Sequence, residues 1–419
     1  MQRRAPGERR NRRRRTWAFA PATAAAAFFC VPVCAVAVAP DSIAAEVVPQ
    51  RDVFDLVKEW FFDKRVEPQL EGTLPSGLAW SILPTLNYNP VYGFAFGASV
   101  SGAGTLGSGP NSRPSALSIS GNYSTQGQVQ AQFKGDIFTP SGDYLIKADV
   151  RYLDTERSTW GLGPIHDNQQ EYPMEFKLSR WYATVFRRTS GPVYVGIGYH
   201  YDDYAEIVDE RAVLGESTPF TEYTGSAVTR TRASGVSINL LGDTRDNIVN
   251  PSSGYYLSGV FRDYLKSLGS DLNWQEFWNE VRLYAKLPQQ SPNVLAFWIY
   301  SWLTFGPAPY LDLPAVGWDT YGRGGRGYLQ GRSRGVNQIY FETEYRLQLT
   351  RDGLLGAVGF LNLMATTDPE SQVFGRVDPG GGVGLRFKFN KRSNTNLSVD
   401  HGWGQAGSRG WFMGMMEVF

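Results

Sequence analysis

The segment 338–350 alternates between apolar and charged side chains, and this alternation limits what the chain can fold into. Phe341 and Tyr345 fall on one face, whereas Glu342 and Glu344 fall on the other. A period of two residues with one apolar and one charged face is typical of a β-strand between two different solvents. The same pattern recurs at 128–134, 144–152, 276–286, 385–389 and 397–400. We therefore predict an all-β fold whose strands separate a nonpolar from a polar environment.

The lengths of the apolar runs and of the strands predict a barrel in a membrane. After residue 45 the longest mainly apolar run is 294–305, which has 12 residues, and a helical span needs about 20. A closed barrel instead pairs every backbone group within lipid. Several alternating segments are ten to fifteen residues long, which is enough for a tilted crossing. The sequence therefore favours a transmembrane β-barrel over a soluble sandwich of shorter strands.

Turn residues divide the barrel region, residues 78–419, into sixteen antiparallel strands, an even number as expected for single-chain bacterial barrels. With a periplasmic N-terminus, the connections after odd strands lie outside the cell. We expect long outer connections at 154–172, 205–228, 306–335 and 366–379, and we also place 103–114 among them. The predicted strands are 78–86, 91–102, 115–124, 127–137, 142–153, 173–188, 192–204, 229–241, 253–265, 272–287, 292–305, 336–350, 354–365, 380–389, 394–403 and 409–419.

Residues 1–45 have the pattern of a secretory signal peptide. Eight arginines precede an Ala/Val/Phe-rich stretch at 17–39, and small residues end the segment. An uncleaved helical anchor is the alternative, but Pro21, Pro32 and Pro40 disfavour a spanning helix. Cys30 and Cys34 both fall in this segment, so the exported chain has neither a disulfide nor a thiolate metal site.

Removal of the signal also changes the net charge. Eight arginines against Glu8 and Asp41 give residues 1–45 a charge of +6, and the whole chain carries +1, so −5 remains. A mildly acidic protein is not an obvious nucleic-acid binder.

The segment 46–77 precedes the barrel and contains one predicted amphipathic helix at 52–64. Asp52 suits the N-cap, and Val57, Trp60 and Phe61 belong to its apolar face. We expect this helix to pack against the barrel rim. Plugging the lumen, lying on the inner leaflet and contacting a partner remain open alternatives.

Several blocks of the sequence share their order with one family of proteins. The glycine-rich loop 321–332 contains Arg326-Gly327-Tyr328, and the strand after it contains Glu344-Tyr345-Arg346. The other blocks are the predicted periplasmic turn with Asp243, Arg245, Asp246 and Gly254, the aromatic-Gly-x-Gly block 160–163, and the terminal Phe419. Together they resemble the bacterial surface antigen family, the outer-membrane barrels of the BamA and TamA type, in which an Arg-Gly-aromatic motif lies on the long sixth outer loop.

The resemblance implies that the sixth loop folds into the lumen, where Arg326 pairs with Glu344. Flanking glycines permit positive φ and close backbone approach, and a buried guanidinium requires a carboxylate. A flexible basic surface loop is the alternative. Where the family usually has an aspartate on the next strand, this chain has Asn362, which can accept a hydrogen bond but carries no charge. Glu417 also stands where a barrel end-signal usually has an apolar residue.

A weak seam between the first and last strands is the second expectation. Pro84 lacks a donor N–H, and Gly410 and Gly414 weaken the last strand, which ends at Phe419. Missing ladder bonds would allow lateral opening, with Arg326 and Glu344 bracing the opposite wall. Alternatively, Pro84 is only a tolerated residue at the seam and has no role in opening.

The leading functional hypothesis is an integral barrel of the bacterial outer membrane that assists insertion or translocation of proteins or lipids. Its partners would be outer-membrane lipid and lipopolysaccharide, together with a separate periplasmic or POTRA-bearing protein, because 46–77 is too short for a POTRA domain. A passive pore or anchoring barrel is the alternative. We predict no enzyme activity and no cofactor, since the three histidines lack a nucleophile motif.

Overall fold

A computed structural model describes residues 50–62, 77–89, 93–109, 112–167, 169–320, 322–391, 393–415 and 417–419. The predicted secretory signal at 1–45 lies outside these residues, as does much of 46–77. Within the described part of the chain, no helix is both long and apolar enough to cross a membrane.

The strands form a single closed antiparallel sheet. Each strand pairs with the next one in the sequence, and the last pairs with the first, so the predicted sixteen-stranded barrel is confirmed. In chain order they are β1 (Ala79–Asn89), β2 (Gly93–Thr105), β3 (Pro114–Ser124), β4 (Val129–Phe138), β5 (Tyr144–Thr159), β6 (Tyr172–Ser190), β7 (Val193–Asp209), β8 (Thr231–Asp243), β9 (Gly254–Tyr264), β10 (Trp274–Lys286), β11 (Val294–Phe305), β12 (Asn337–Gln348), β13 (Leu355–Thr366), β14 (Asp378–Asn390), β15 (Thr395–Trp403) and β16 (Arg409–Met415).

Side chains along the strands alternate between an exposed outer face and a buried inner face. On β8, Val236 and Ile238 are exposed, with Ile238 66% accessible, whereas Ser237 and Asn239 between and beyond them are buried. An apolar exterior around a polar interior is the arrangement of a barrel in lipid. The alternation in the sequence therefore reports the two faces of the barrel wall.

The two ends of the barrel differ in the length of their connections. We call the end with the connections after even strands the turn end, and the opposite end the loop end. The connection 106–113 follows β2, an even strand, so placing it among the outer connections is wrong. At the turn end Arg113 Nη1 donates to the backbone oxygen of Asp243 at 2.6 Å. The longer connections at the loop end are 160–171, 210–230 with α2 (Glu210–Val213) and α3 (Pro219–Thr224), 306–336 and 367–377.

The strands β5 and β7 continue beyond their predicted ends at 153 and 204. They reach Thr159 and Asp209, and the added residues pair with β6, as in Glu156↔Glu175 for β5 and, beyond a register shift, Glu175↔Val208 for β7. The sequence 154–159 is polar on both faces, so it lacks the alternation that marks a strand in lipid. Backbone ladder bonds with β6 extend β5 through this segment, and such bonds leave no trace in the hydropathy pattern.

The predicted N-terminal helix is present as α1 (Val53–Phe62), and it packs on the rim of the turn end. The carboxylate of Asp52 accepts from the backbone N–H of Asp55 at 3.0 Å, and Asp55 accepts from that of Asp52 at 3.1 Å. This reciprocal bonding caps the first turn. Asp55 also pairs with Lys391, after β14, at 2.7 Å. The helix therefore packs against the barrel rim, as expected from the sequence.

Aromatic side chains form much of the inner core. The rings of Tyr300 and Tyr340 stack with centroids 4.8 Å apart, and Phe419 lies 5.5 Å from Trp298. The same buried cluster includes Tyr328 from the connection after β11. A surface loop and the chain terminus are thus both part of the lumenal packing.

Candidate functional site

The connection 306–336, which we call the lumen loop, enters the barrel and touches well-separated parts of its wall. The backbone oxygen of Thr320 accepts from Arg151 Nη2 on β5 at 2.5 Å. Five strands away, Arg323 Nη2 donates to the backbone oxygen of Met415 on β16 at 3.2 Å. The lumen loop therefore spans the interior instead of extending into solvent.

Arg326 lies fully inside the barrel at the centre of a group of carboxylates. Its Nε donates to Glu342 Oε1 at 3.1 Å, its Nη1 donates to Asp400 Oδ2 at 2.8 Å, and its Nη2 pairs with Glu344. The ring of Phe360 covers the guanidinium, with 3.7 Å between its centroid and the guanidinium carbon. A buried guanidinium is stable only when its N–H groups have such partners, so the site selects arginine.

The contacts of Arg326 include the predicted one and add two others. Glu344 contacts Arg326, as the resemblance implies, but Glu342 and Asp400 were not predicted as partners. Glu342 lies two residues before Glu344 on the same strand face, and that spacing was available in the sequence. Asp400 is on β15, and only the barrel topology brings it to the loop.

Asn362 makes a different contact from the one expected of it. Its Nδ2 donates to the backbone oxygen of Arg326 at 2.9 Å, so it contacts the loop backbone instead of the guanidinium. The charge missing at this position on β13 is supplied by Asp400 on β15.

Arg326 belongs to a larger ionic cluster, which we call the lumen network. Arg386 pairs with Glu417 at 2.7 Å, and Arg346 pairs with Glu344 at 2.7 Å. Asn396 Nδ2 also donates to Glu417 Oε1 at 2.7 Å. The members are Arg326, Arg346, Arg386, Glu342, Glu344, Asp400 and Glu417, all buried, with three positive and four negative charges.

The lumen network is carried by β12, β14 and β15, which lead up to β16. The expectation that Arg326 and Glu344 brace the wall opposite the seam is therefore wrong. The network lies on the β16 side of the seam. Asp400, which pairs with Arg326, is on β15, the strand directly next to β16. The network stabilises the wall beside the seam.

Glycines allow the lumen loop to touch β15 through its backbone. Gly327 has a φ of +104°, and a methyl group there would lie 2.6 Å from the backbone oxygen of Trp403. A methyl group on Gly402 would lie 2.6 Å from the backbone nitrogen of Gly327. Tyr328 then bridges outward, donating to the oxygen of Pro379 and accepting from the backbone N–H of Gln405 at 3.0 Å.

The C-terminal residues turn into the lumen. The last strand ends at Met415, so its predicted continuation to 419 is wrong. Glu417 and Phe419 are buried inside, and the backbone oxygen of Phe419 accepts from Arg346 Nη2 at 2.7 Å. A carboxylate on the lipid face would be destabilising, whereas the guanidinium of Arg386 in the lumen compensates it. Phe419 therefore lies away from the lipid-facing seam where it was predicted.

The seam between β1 and β16 is narrow in the described residues, where one matched pair, Tyr88↔Met413, joins the two strands. By contrast, β1 pairs with β2 along its whole length. Continuing this register would set Pro84 opposite Glu417, which has left the sheet. Gly410 and Gly414 pair on their other side with Gly402 and Ser398 of β15.

The turn between β8 and β9 is built around two aspartates. Asp243 accepts from Arg245 Nη2 at 2.8 Å, and the Arg245 guanidinium lies over the ring of Tyr256 at 4.5 Å. Asp246 Oδ1 accepts three backbone N–H groups, from Asn247, Ser252 and Ser253, at 2.9–3.1 Å. Gly254 closes the turn with a φ of +95°.

This turn also contacts the lumen network. Arg346 Nη1 donates to the backbone oxygen of Pro251 at 3.1 Å, and Asn394 Nδ2 donates to that of Asn250 at 3.3 Å. The turn therefore folds under the lumen at the turn end, within reach of the buried C-terminus.

We expect the β8–β9 turn to loosen in acid. Partial burial opposes ionisation of Asp246, but the hydroxyl of Ser252 and backbone N–H groups donate to its carboxylate and hold its pKa below the ordinary value. The stabilisation is therefore complete above the unfolded pKa of about 3.9 and is lost as pH falls through the lower folded value. The loss of stabilisation is measured as a fall in the hydrogen-exchange protection of the Ser252 and Ser253 amides.

A variant separates this carboxylate from the others that titrate in acid. Asp246→Asn should lower the protection of both amides by about 1–3 kcal/mol at neutral pH and remove its dependence on pH. Asp368→Asn is the control, because Asp368 caps a turn in 367–377 through Ser371. Equal pH profiles for Asp246→Asn and the unaltered protein would contradict the assignment.

Known proteins resemble this chain in fold and not in sequence. No protein-family model matches the sequence, and no curated protein matches it. The fold is similar to BamA from Haemophilus ducreyi lacking POTRA domains 1–3, with a TM-score of 0.52 and 14% identity over 81% of this chain and 70% of that one. It is also similar to CdiB from Escherichia coli, with a TM-score of 0.51 and 9% identity over 84% and 63% of the two chains. This chain thus spans less than two thirds of the CdiB chain. At these identities the similarity is one of fold.

Proposed function

We propose that this protein is an integral barrel of the bacterial outer membrane that assists the insertion or translocation of proteins or lipids through the seam between β1 and β16. The observation that carries the proposal is the narrow seam, with Tyr88↔Met413 as its matched pair in the described residues. Unpaired strand edges are templates for pairing with another strand. The sequence resemblance and the shared barrel fold support the same class of function.

The inward course of the C-terminus accounts for the narrow seam. Glu417 and Phe419 bind Arg386 and Arg346 inside the lumen, so they are withdrawn from the ladder with β1. Pro84 has no N–H to donate, and in this register its opposite residue is Glu417. Among the described residues, few ladder bonds therefore have to break before the edges of β1 and β16 are free to pair with a substrate strand.

The lumen loop favours this route over a passive pore. Its backbone and side chains contact strands on separate parts of the interior, namely β5 through Arg151 and β16 through Met415. Passage through the lumen would require the buried ion pairs of Arg326 to break, whereas passage at the seam leaves them intact. In this proposal the barrel acts in lipid and lipopolysaccharide without catalytic chemistry, and a separate periplasmic or POTRA-bearing protein delivers the substrate.

Locking the seam tests the proposal. In a chain with Cys30→Ser and Cys34→Ser, the pair Tyr88→Cys and Met413→Cys forms a disulfide across β1 and β16. We expect oxidation to reduce assisted insertion of an unfolded barrel substrate into liposomes to the rate of protein-free lipid. Reductant should restore it. Folding of the substrate is followed by its heat-dependent gel mobility.

The control pair lies on the other side of the same strand. Ile82 and Val100 are matched across β1 and β2, and Ile82→Cys with Val100→Cys introduces a disulfide without closing the seam. This protein should keep its activity when oxidised. Equal activity of the oxidised and reduced seam variants would refute lateral opening. A large steady conductance of the unaltered barrel in planar bilayers would favour the passive pore.

A further inference from the structure

The helix α1 presents its polar side to the barrel and its apolar side away from it. Asp52 and Asp55 are buried against the rim, with Asp55 only 2% exposed. Val57, Trp60 and Phe61 fall on one stripe at helical spacing, and Trp60 is 86% and Phe61 74% exposed. A helix that packs on a water-soluble protein has the reverse orientation, so the stripe requires a nonpolar environment of its own.

The position of α1 relative to the barrel wall identifies that environment. Phe54 packs edge to face on Phe389, with ring centroids 5.3 Å apart. Phe389 belongs to the same face of β14 as Val383 and Leu385, which are exposed on the outside of the barrel. The apolar stripe of α1 therefore continues the lipid-facing surface beyond the end of β14.

Two more contacts fix the helix at this level. The backbone N–H of Arg51 donates to the oxygen of Asp352, in the connection after β12, at 3.0 Å. The backbone N–H of Lys391, in the connection after β14, donates to Asp52 Oδ2 at 3.0 Å. Both connections belong to the turn end, so α1 lies beside the edge of the lipid-facing surface and outside the lumen.

We propose that α1 is an interfacial helix that lies in the lipid leaflet at the turn end of the barrel, with Val57, Trp60 and Phe61 in the headgroup and acyl boundary. Tryptophan favours this boundary, where its ring is in apolar surroundings and its N–H is close to water. The charged side chains of the helix are on the barrel and water sides, as in other helices of this kind.

This placement gives the helix a mechanical role. Through Asp352 and Lys391 it holds the connections that follow β12 and β14, and these strands carry the lumen network. The leaflet then fixes the depth of this part of the wall while the seam stays free. The inference rests on the lipid-facing exterior of the barrel and is independent of the proposed insertion activity.

Site-specific labelling tests the inference. With Cys30→Ser and Cys34→Ser, a single cysteine is placed at Val57, Trp60 or Phe61, or at Lys58 as the matched control on the polar side. Each is labelled with an environment-sensitive fluorophore, and the full protein is reconstituted in phosphatidylcholine vesicles. Two quenchers are compared, namely lipids brominated near the headgroup end of their acyl chains and aqueous iodide.

We expect brominated lipid to quench the labels at 57, 60 and 61 several-fold more strongly than the label at 58, and iodide to show the opposite order. Strong iodide quenching at 60 and 61 would overturn the proposal and indicate a water-exposed surface suited to a protein partner. Protection from both quenchers would also overturn it, because the stripe would then be buried on protein. Heat-dependent gel mobility identifies the variants that fold. Because three positions are labelled separately, the test still works if one variant does not fold.

Discussion

Replacing Arg326 by alanine is expected to lower the free energy of unfolding of the barrel by about 3–5 kcal/mol, the range for removing one partner of a buried ion pair. The substitution leaves Glu342, Glu344 and Asp400 facing one another in the lumen without the guanidinium between them. Glu344 and Asp400 keep their ion pairs with Arg346 and Arg386, whereas Glu342 loses its ion pair and becomes a destabilising charge in a water-poor interior. Urea unfolding of the reconstituted barrel, followed by heat-dependent gel mobility, measures the change.

Two further variants define the origin of that effect. Arg326→Lys keeps the charge but loses the planar set of donors that reaches three carboxylates, so it should have an intermediate stability. Arg230→Ala removes a two-pronged pair with Asp203 in which Arg230 is 50% exposed, so its effect on the free energy of unfolding should be much smaller than that of Arg326→Ala. Equal effects of Arg326→Ala and Arg230→Ala would show that the lumen network does not stabilise the barrel.

The sequence predicts the wall of this barrel better than its contents. Alternation at 338–350 places Glu342 and Glu344 on the polar face because the lumen and the lipid differ in polarity at every second residue. The number of strands follows from the turn residues that separate the alternating segments. Where polarity is equal on both faces, as at 154–159, the signal disappears and the strand ends are misjudged.

The lumenal contacts are harder to predict because they depend on distances across the barrel. The alternation places Asp400 on a polar face, but nothing in a period of two shows that β15 faces Arg326 across the interior. Glu417 would be destabilising if it were part of a lipid-facing strand. It becomes a normal residue once the chain turns inward to Arg386, and that turn depends on tertiary contacts.

The same contacts couple the loop anchor to the seam. Arg386 pairs with Asp400, which holds Arg326, and also with Glu417, which is withdrawn from β16. Arg323 of the lumen loop binds the backbone oxygens of Met415 and Glu417. The lumen loop and its anchor are therefore in contact with the residues at which β16 ends.

Three alanine substitutions should separate the two reasons for glycine at the tip of the lumen loop. Gly407→Ala imposes only a positive φ, +71°, in open space, whereas Gly402→Ala introduces only a methyl group 2.6 Å from the backbone of Gly327. Gly327→Ala does both. We expect about 1–3 kcal/mol for the strained backbone and about 1–3 kcal/mol for the overlap, with the two combined in Gly327→Ala. Urea unfolding measures all three, and Gly359→Ala is the control in open space without positive φ.

Combining Gly402→Ala with Arg326→Ala tests whether the overlap acts through the loop. If the lumen loop is already released by loss of its anchor, the new methyl group on β15 no longer meets the backbone of Gly327. The double variant should then be more stable than the sum of the two single effects predicts, by about 0.5–3 kcal/mol, the usual coupling between residues in contact. Additive effects would mean that Arg326 does not hold the loop against β15, because the backbone contact would then persist without it.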